Sequence, residues 1–405
     1  QMCIRDREGL EIIVRDGKII EIGKNLNNAD QIYDCENNLV TPGFVDCHTH
    51  PVFLNDRSNE FEMRVAGNTY EQIAANGGGI NNSVKSLRDS DYNELKQRII
   101  HRMNNFLRLG TTTLEAKSGY GLDLDSELKS LAILDEINSE HRVDIIPTFM
   151  GAHAIPKEYN NKPDDYVDHL CNVIIPAVAK QGIAKYNDVF CEKGYFDIHQ
   201  SEKIFLTGLD YGLVPRIHTD EFENIGGAQL ASAMKCVSAD HLMCINDSDI
   251  IKMVDANVKA VLLPGTTFFL GKDKYAPYKK IKDSGLEVAI ATDYNPGSSN
   301  IQSMTFIITL SLIYMGFEIN DAIFSSTFMP SKILNIHENF TKNIWSLTFV
   351  NERRWDIHFN QGLTIRLPST SVREAWEKII LLSEKFNLLI LDLTELDLRS
   401  SNNVL

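Results

Sequence analysis

The feature that most constrains this chain is a repeated alternation of short apolar segments with longer segments of helical periodicity. Such alternation is typical of parallel strands joined by right-handed helical crossovers. Eight segments have the pattern of a buried strand: LVTPGFVDCHTH, TTTLEA, VDIIPTFMGAHA, NDVFCEKG, LVPRIHTDE, SADHL, VKAVLLPG and LEVAIATDYN. Eight such units favour a closed barrel, with an open parallel sheet as the alternative. The predicted fold class is therefore α/β, a (β/α)8 TIM-like barrel.

Segments of different character flank the predicted barrel, which we place at residues 41–335. Before it, GLEIIVRDGKIIEIG alternates apolar and polar residues around an Asp-Gly turn, which predicts a hairpin in a small β domain over 1–40. After it the composition changes, since all three tryptophans lie beyond residue 340 and only Gly362 of the 24 glycines lies beyond 330. This tail, 336–405, is predicted to be an unrelated α+β unit with the order β-β-β-α-β.

Residues able to bind a metal gather at the predicted strand ends. His48 and His50 are two residues apart, so a strand directs both to one face. The segments RIHTDE, SADHL and ATDYNPGSS add His218, His241 and Asp293 at the same level of the barrel. Three imidazoles and a carboxylate suit a transition metal with one position open for water, whose pKa such a metal lowers to about 7. The sequence therefore predicts metal-assisted hydrolysis, although an HxH pair taken alone also arises by chance.

Two further residues at these strand ends are predicted to carry protons. Glu221 lies three residues after His218, and His241 lies on the following strand. Both would then stand beside the activated water, where a general acid or base has to be. The alternatives are a solvated loop charge for Glu221 and a core histidine for His241.

The remaining loops of the predicted barrel carry candidates for binding a small polar molecule. Arg57, seven residues after His50, offers a guanidinium that can clamp a carboxylate through two hydrogen bonds. Tyr120 and His153 lie on the next two loops, and each can form a hydrogen bond with such a ligand. The last turn offers amide and backbone N–H groups for a second anionic end, from Asn295, Gly297 and Ser298. An ordinary loop residue is the alternative for each.

The net charge and the cysteine content limit which classes of partner and which cellular compartment we expect for this protein. The formal net charge of -15 argues against nucleic acid or an anionic membrane as a partner. The seven cysteines form no CxxC pair, which fits a reducing compartment. The apolar run near 304–317 is too short to span a bilayer, and residues 1–20 have no signal-peptide pattern. We expect a cytoplasmic protein that acts on a small molecule.

The chain from about residue 8 to 335 resembles imidazolonepropionase, an amidohydrolase-superfamily enzyme of histidine degradation. Many amidohydrolases share the HxH pair and the terminal aspartate, whereas KSGYGLD, FMGAHA, DVFCEKG and DYNPGSS are narrow to this family. Other segments stand in the same order as in the family: PGFVDCHTHPVF, EFEMRVAGNTYEQIAANGGGI, HTDEF followed by GGAQLA, SADHL and VLLPGTTFFL.

The resemblance implies hydrolysis of 4-imidazolone-5-propanoate to N-formimidoyl-L-glutamate, in which a metal-activated water attacks the ring lactam. It implies a homodimer with one Zn²⁺ or Fe³⁺ per subunit, held by His48, His50, His218 and Asp293. It also implies contacts to the substrate or product from Arg57, Tyr120, His153, Glu221, Asn295, Gly297 and Ser298. The alternative is another cyclic amidohydrolase or a deaminase.

Two departures from the family concern the ends of the chain. The N-terminal β domain is shorter than usual, so we expect it to be incomplete, and the family's usual final segment is missing. From about residue 342 the chain instead resembles the C-terminal part of the bacterial division protein FtsQ, in RRWDIHFNQGLTIRLP, a helix and LDLRSSNNV. We interpret the chain as a chimera joined near 330–342. An inactive chimeric product and a non-catalytic division or scaffold protein are therefore further alternatives.

Overall fold

The computed structural model describes residues 9–15, 17–26, 29–36, 38–68, 72, 78–335, 344–350, 354–359, 363–368, 375, 379 and 395–397. The first of these ranges contain the predicted hairpin. Strands β1 (Glu11–Arg15) and β2 (Lys18–Gly23) pair antiparallel, with Arg15 opposite Lys18. The extent of the small β domain over 1–40 stays a prediction.

The predicted barrel is confirmed, because eight parallel strands form one sheet in which each strand pairs with the next along the chain. The strands match the eight apolar segments of the sequence. They are β3 (Phe44–Asp46), β4 (Thr111–Lys117), β5 (Asp144–Ala152), β6 (Tyr186–Cys191), β7 (Val214–Thr219), β8 (Ser238–His241), β9 (Lys259–Leu262) and β10 (Val288–Ile290).

The first and last strands approach each other beyond their carboxyl ends. A parallel bridge joins Thr49 and Tyr294. The N–H of His50 donates to the carbonyl oxygen of Tyr294 at 2.8 Å, and the N–H of Asp293 donates to that of His48 at 3.1 Å. The barrel thus closes at the level where the predicted metal ligands lie, so that residues distant in the sequence become neighbours.

Helices connect the strands, and polar residues define where several of them begin. Asp91 accepts hydrogen bonds from the N–H groups of Asn93 and Glu94, and Asp197 and Gln200 form a capping box. No helix among the described residues is both long and apolar enough to cross a membrane. The helices are α1 (Ser58–Val65), α2 (Ile80–Arg88), α3 (Tyr92–Arg108), α4 (Leu124–Glu140), α5 (Pro163–His169), α6 (Ile175–Gln181), α7 (Ile198–Asp210), α8 (Gly227–Ala233), α9 (Asp247–Asp255), α10 (Pro264–Phe269), α11 (Tyr278–Asp283), α12 (Met304–Leu310), α13 (Ile319–Ser326) and α14 (Phe328–Ile333).

The apolar core lies between the strands and the surrounding helices. One cluster of buried side chains includes Phe149, Ile204 and Ile290, and a second includes Phe106 and Leu114. Burying a side chain of this size contributes roughly 1.5–3 kcal/mol. The packing of these apolar side chains holds the strand ends in place. The polar residues at the strand ends are held in place with them.

The chain divides into two compact units, residues 1–334 and 335–405. In the second unit, β11 (Ile344–Val350), β12 (Arg354–Phe359) and β13 (Thr364–Arg366) pair antiparallel in sequence, and β13 pairs parallel with β14 (Glu395–Asp397). The predicted helix in SVREAWEKIILLSEKF lies largely outside the described residues. The domain limits at 41–335 and 336–405, and the separate origin of the tail, stay predictions.

Candidate metal and active site

Four side chains converge at the carboxyl end of the barrel. His48 and His50 follow β3, His218 lies in β7 and Asp293 follows β10. The Nε2 atom of His50 lies 3.3 Å from Nε2 of His48 and 3.2 Å from Nε2 of His218. Oδ1 of Asp293 lies 3.4 Å from Nε2 of both His48 and His50. The structure therefore brings together all four residues that the sequence predicts as metal ligands.

Two carboxylates hold the outer nitrogens of these histidines. Nδ1 of His48 donates to Oδ2 of Asp240 at 2.7 Å, and Nδ1 of His218 donates to Oδ1 of Asp188 at 2.9 Å. Each bond leaves the Nε2 lone pair directed into the cluster. Burial, followed by the charge of Lys117, lowers the pKa of His48 well below 6.5 and keeps this imidazole neutral. Neutral imidazoles oriented by carboxylates are the usual ligands of a protein metal site, so these residues fit a metal ion.

A buried network of charges lies directly beneath the histidines. Nζ of Lys117 contacts Oε1 of Glu115 at 2.6 Å and Oδ2 of Asp188 at 2.8 Å. Nη2 of Arg216 contacts Oδ2 of Asp240 at 2.9 Å, and all five of these side chains are excluded from solvent. Burial by itself would raise the pKa of Asp188, but the hydrogen bond from His218 and the charge of Lys117 outweigh it and hold that pKa below its ordinary value. The network thus stabilises the charged carboxylate that orients His218.

Sequence reasoning missed this network. The signal that could have found it is a positively charged residue within a strand of the barrel, as in Lys117 of β4 and Arg216 of β7. A buried charge is costly unless it is paired. Each such residue therefore predicts a partner of opposite charge, even before the partner is known.

Asp293 and His241 have backbone conformations that are unusual for residues other than glycine. Their φ angles are 51° and 82°, in the left-handed region. Such conformations cost on the order of 1–3 kcal/mol and are concentrated at functional sites. Oδ2 of Asp293 accepts a hydrogen bond from Oγ1 of Thr266, and burial raises the pKa of Asp293 to about 6. In these conformations both side chains lie beside His48.

Glu221 and His241, the predicted proton carriers, form a buried pair. Oε2 of Glu221 lies 3.7 Å from Nε2 of His241. Burial raises the pKa of Glu221 well above its ordinary value and lowers that of His241 well below 6.5. His241 also offers a nitrogen within 4.8 Å of those of His48 and His218. The geometry is compatible with a proton carrier and equally with a further metal ligand.

Tyr120 and His153 lie beside His50 in the histidine cluster. The ring of His153 stacks on that of His50 with 5.0 Å between centroids, and the ring of Tyr120 lies 5.1 Å from that of His153. Nδ1 of His153 donates to the carbonyl oxygen of Gly119 at 2.9 Å. Burial lowers the pKa of His153 to about 3, so its ring is neutral and its Nε2 is free to accept a hydrogen bond.

Arg57 lies at the start of α1, against the turn that follows β10. Its Nε lies 3.6 Å from Oε2 of Glu60, and its Nε and Nη1 are buried without a hydrogen-bond partner among the described residues. A Cβ atom added to Gly297 would lie 1.1 Å from Nη2 of Arg57. Glycine at position 297 therefore leaves space for the guanidinium of Arg57, whose Nε and Nη1 can still donate hydrogen bonds to a ligand.

The predicted anion-binding turn is already bonded within itself. Oδ1 of Asn295 accepts the N–H groups of Gly297 at 2.8 Å and Ser298 at 2.7 Å. Its Nδ2 donates to the carbonyl oxygen of Asp293 and to Oγ of Ser298. A ligand that used these N–H groups would have to compete with Asn295. Contacts from this turn to substrate or product stay a prediction.

The same fold occurs in solved structures of distant sequence. A 5-methylcytosine deaminase from Klebsiella pneumoniae, liganded with 5-fluorocytosine, has a TM-score of 0.63 at 13% identity and covers 83% of this chain and 86% of its own. A guanine deaminase from C. acetobutylicum has a TM-score of 0.58 at 15% identity, with coverage of 93% and 90%. Together with the histidine and aspartate residues at the barrel mouth, the fold defines the class: a (β/α)8 TIM-like barrel with a cluster of possible metal ligands at its mouth.

Relatives in sequence define the particular family. An imidazolonepropionase from Brevibacillus brevis is 45% identical over 314 residues, which cover 75% of this chain and 74% of that protein. One from Alkaliphilus metalliredigens is 42% identical over 311 residues, with the same coverage. The chain belongs to the imidazolonepropionase family. No family model matches it. These relatives give no support to the likeness between the tail and FtsQ, which stays a prediction.

Proposed function

We propose that this chain hydrolyses 4-imidazolone-5-propanoate to N-formimidoyl-L-glutamate in histidine degradation. The observation that carries the proposal is a cluster of three imidazoles and a carboxylate at the barrel mouth of a chain that is 45% identical to an imidazolonepropionase. The reaction opens a cyclic amide by adding water across its carbon–nitrogen bond. It needs an activated water, a path for protons and an anchor for the propanoate group.

His48, His50, His218 and Asp293 are the proposed ligands of one zinc or iron ion. The convergence of three Nε2 atoms within 3.3 Å of a neighbour supports this assignment, as does the fixed orientation of His48 and His218. When bound, such an ion would polarise a carbonyl group and lower the pKa of water towards neutrality, so that the deprotonated nucleophile would be available near neutral pH. Three imidazoles and a carboxylate suit either metal.

Glu221 and His241 are the proposed carriers of the proton. Their separation of 3.7 Å brings a proton transfer within reach of a small movement or of one bridging water molecule. Opposite pKa shifts in a neighbouring pair divide the roles of acid and base between its members. In this reaction the pair takes a proton from the attacking water and returns one to the ring nitrogen as the carbon–nitrogen bond breaks.

Arg57 is the proposed anchor of the propanoate group. Its buried Nε and Nη1 have hydrogen-bond capacity that no described residue fills, which supports a role in binding an anion. A guanidinium binds a carboxylate through two parallel hydrogen bonds. Tyr120 and His153 would contact the ring, so a small substrate is held in one orientation for attack.

The direct test is a comparison of substrates on the purified protein. We expect turnover of 4-imidazolone-5-propanoate and no comparable turnover of cytosine, guanine or dihydroorotate. Release of N-formimidoyl-L-glutamate would be followed by mass spectrometry. If one of the other three compounds is the preferred substrate, the chain performs another cyclic-amide hydrolysis or a deamination, and the proposal is wrong.

A homodimer and a cytoplasmic location complete the proposal. The dimer rests on the family resemblance, and sedimentation of the purified chain tests it. The location is supported by six cysteines that are free thiols in the described part of the chain: Cys35, Cys47, Cys171, Cys191, Cys236 and Cys244. Free thiols of this number fit a reducing compartment, and fractionation of cells tests the location.

A further inference from the structure

Glu192 is a buried glutamate that has no role in the proposed reaction. It follows β6, and 1% of its surface is exposed. Its Oε2 accepts hydrogen bonds from the N–H groups of Glu221 and Phe222, each at 3.0 Å. Its Oε1 accepts those of Glu223 at 3.2 Å and Lys193 at 3.0 Å. One carboxylate therefore binds three successive N–H groups of the loop that carries Glu221.

This loop has the geometry of an anion-binding nest. It leaves β7 at Asp220, whose φ of 55° turns the following N–H groups to one side. Successive N–H groups in such a turn form a concavity that binds a negative charge, and here the charge comes from the protein itself. The carbonyl oxygen of Asp220 accepts the N–H of Cys244 at 2.8 Å, which ties the loop to the segment after β8 as well.

The position of the Glu221 side chain depends on this loop. Its Oε2 lies 3.7 Å from His241, a distance at which a small displacement decides whether a proton can pass. Proton transfer needs heavy atoms within about 2.6–3.2 Å, either directly or through one water molecule. A loop free to move by about 1 Å would lose most of this alignment, and losses of that kind can reach about a hundredfold in rate.

We propose that Glu192 is a positioning residue that holds Glu221 in reach of His241 by binding the N–H groups of residues 221–223. Glu192 contacts the backbone of the loop and contributes to the reaction only through Glu221. This inference rests on the proposed function, because Glu221 acts there as a proton carrier.

Glu127 provides a matched control within the same molecule. It is also a buried glutamate that binds backbone N–H groups of a site loop, those of Gly119, Gly121 and Leu122 at 2.9–3.1 Å. Its loop carries Tyr120. Replacing either Glu192 or Glu127 with glutamine therefore removes a buried carboxylate, and the two variants differ only in which loop loses it.

The first experiment combines Glu192→Gln with Glu221→Gln. The glutamine amide group would face N–H donors where the carboxylate now accepts them. We expect Glu192→Gln to lower kcat about 30-fold, with KM within about twofold and metal content unchanged. In the Glu221→Gln background the same change should cost at most about twofold, because residues that act as a unit are not additive. The loss from Glu127→Gln should instead multiply with that of Glu221→Gln. Multiplying losses for Glu192 would overturn the proposal.

The second experiment measures the loop without any substrate. Amide hydrogen exchange of the intact protein should show residues 221–223 protected, and Glu192→Gln should accelerate their exchange by about tenfold or more. Glu127→Gln should do so only at 119–122. If the glutamine variant does not fold, Glu192→Asp takes its place, because it keeps the charge on a shorter side chain. We expect it to accelerate amide exchange at the same residues, 221–223. Unchanged exchange at 221–223 would overturn the role of Glu192, whereas a wild-type protein without turnover would overturn the proposed function, so the two failures are distinguishable.

Discussion

His48 and His218 each donate a hydrogen bond from Nδ1 to a carboxylate, and their Nε2 atoms lie in the histidine cluster. The bonds from Nδ1 to Asp240 and Asp188 fix which nitrogen carries the proton and how the ring is turned. Asp240 in turn is bound by Arg216 at 2.9 Å. At the scale of single residues, the affinity for a metal thus depends on carboxylates that do not themselves belong to the proposed ligand set.

Replacing Asp240 with asparagine should weaken metal binding without removing a ligand. The amide binds the imidazole less strongly and leaves the charge of Arg216 without its nearest carboxylate. We expect the dissociation constant of the metal to rise by about 10- to 100-fold, measured by competition with a chelator. Asp135→Asn, on the exposed face of α4, is the control and should leave it unchanged. Equal affinities for the two variants would contradict this account.

Replacing Gly297 with alanine should move Arg57. The added Cβ would lie 1.1 Å from Nη2 of Arg57, and the guanidinium is the group that can give way. We expect KM for the substrate to rise by about tenfold, with metal content unchanged, because one charge-assisted contact is weakened. Gly43→Ala is the control: its Cβ would clash with Thr112 at the opposite end of the barrel, so stability should fall while KM stays constant. An unchanged KM in Gly297→Ala would remove Arg57 from substrate binding.

At the scale of elements, α3 supports the segment that carries the first two histidines. Arg102 of this helix donates to the carbonyl oxygens of Pro51 and Phe53 at 3.1 and 2.5 Å. Its guanidinium also lies 3.5 Å from the centre of the Phe53 ring. The helix thus provides donors for carbonyl groups of the segment after β3 and helps to hold that segment in place.

Replacing Arg102 with methionine should therefore destabilise the barrel mouth. The aliphatic packing is kept, but three carbonyl groups, those of Pro51, Phe53 and Leu54, lose their donor. We expect the free energy of unfolding to fall by about 2 kcal/mol, measured by denaturant titration. Arg98→Ala, on the exposed face of the same helix, should change it by at most about 0.5 kcal/mol. A fall no larger than that of the control would show that α3 does not hold the segment.

At the scale of the whole molecule, the parts that the sequence predicted are those with a periodic or local signal. The eight strands have such a signal, and so does the HxH pair, whose spacing alone directs two imidazoles to one face. Charged strand residues such as Lys117 and Arg216 indicate that a partner exists, but the sequence does not identify Asp188 or Asp240 as that partner. These residues lie on or after other strands, and only the closed barrel brings them together. The hydrogen bonds within the turn at Asn295 could not be predicted either, because a sequence shows which donors exist but not which of them already have an acceptor.

The tail presents a separate prediction at this scale. The boundary between the two compact units at 334/335 lies within the proposed join at 330–342. If the chain is a chimera, a single sequencing read of genomic DNA across the codons for these residues will show a break in the frame or two separate genes. An uninterrupted frame in genomic DNA would show that the tail is native to this protein, and the chimera hypothesis would then be abandoned.

The central claim is that a metal held by the histidine and aspartate cluster is required for hydrolysis of imidazolone propionate. The most direct measurement determines metal content and turnover on the same purified sample, before and after chelation and after readdition of zinc or iron. We predict about one ion per subunit, loss of turnover with the ion and recovery with it, and neither ion nor turnover in His48→Ala. Full turnover by a sample free of metal would contradict the account.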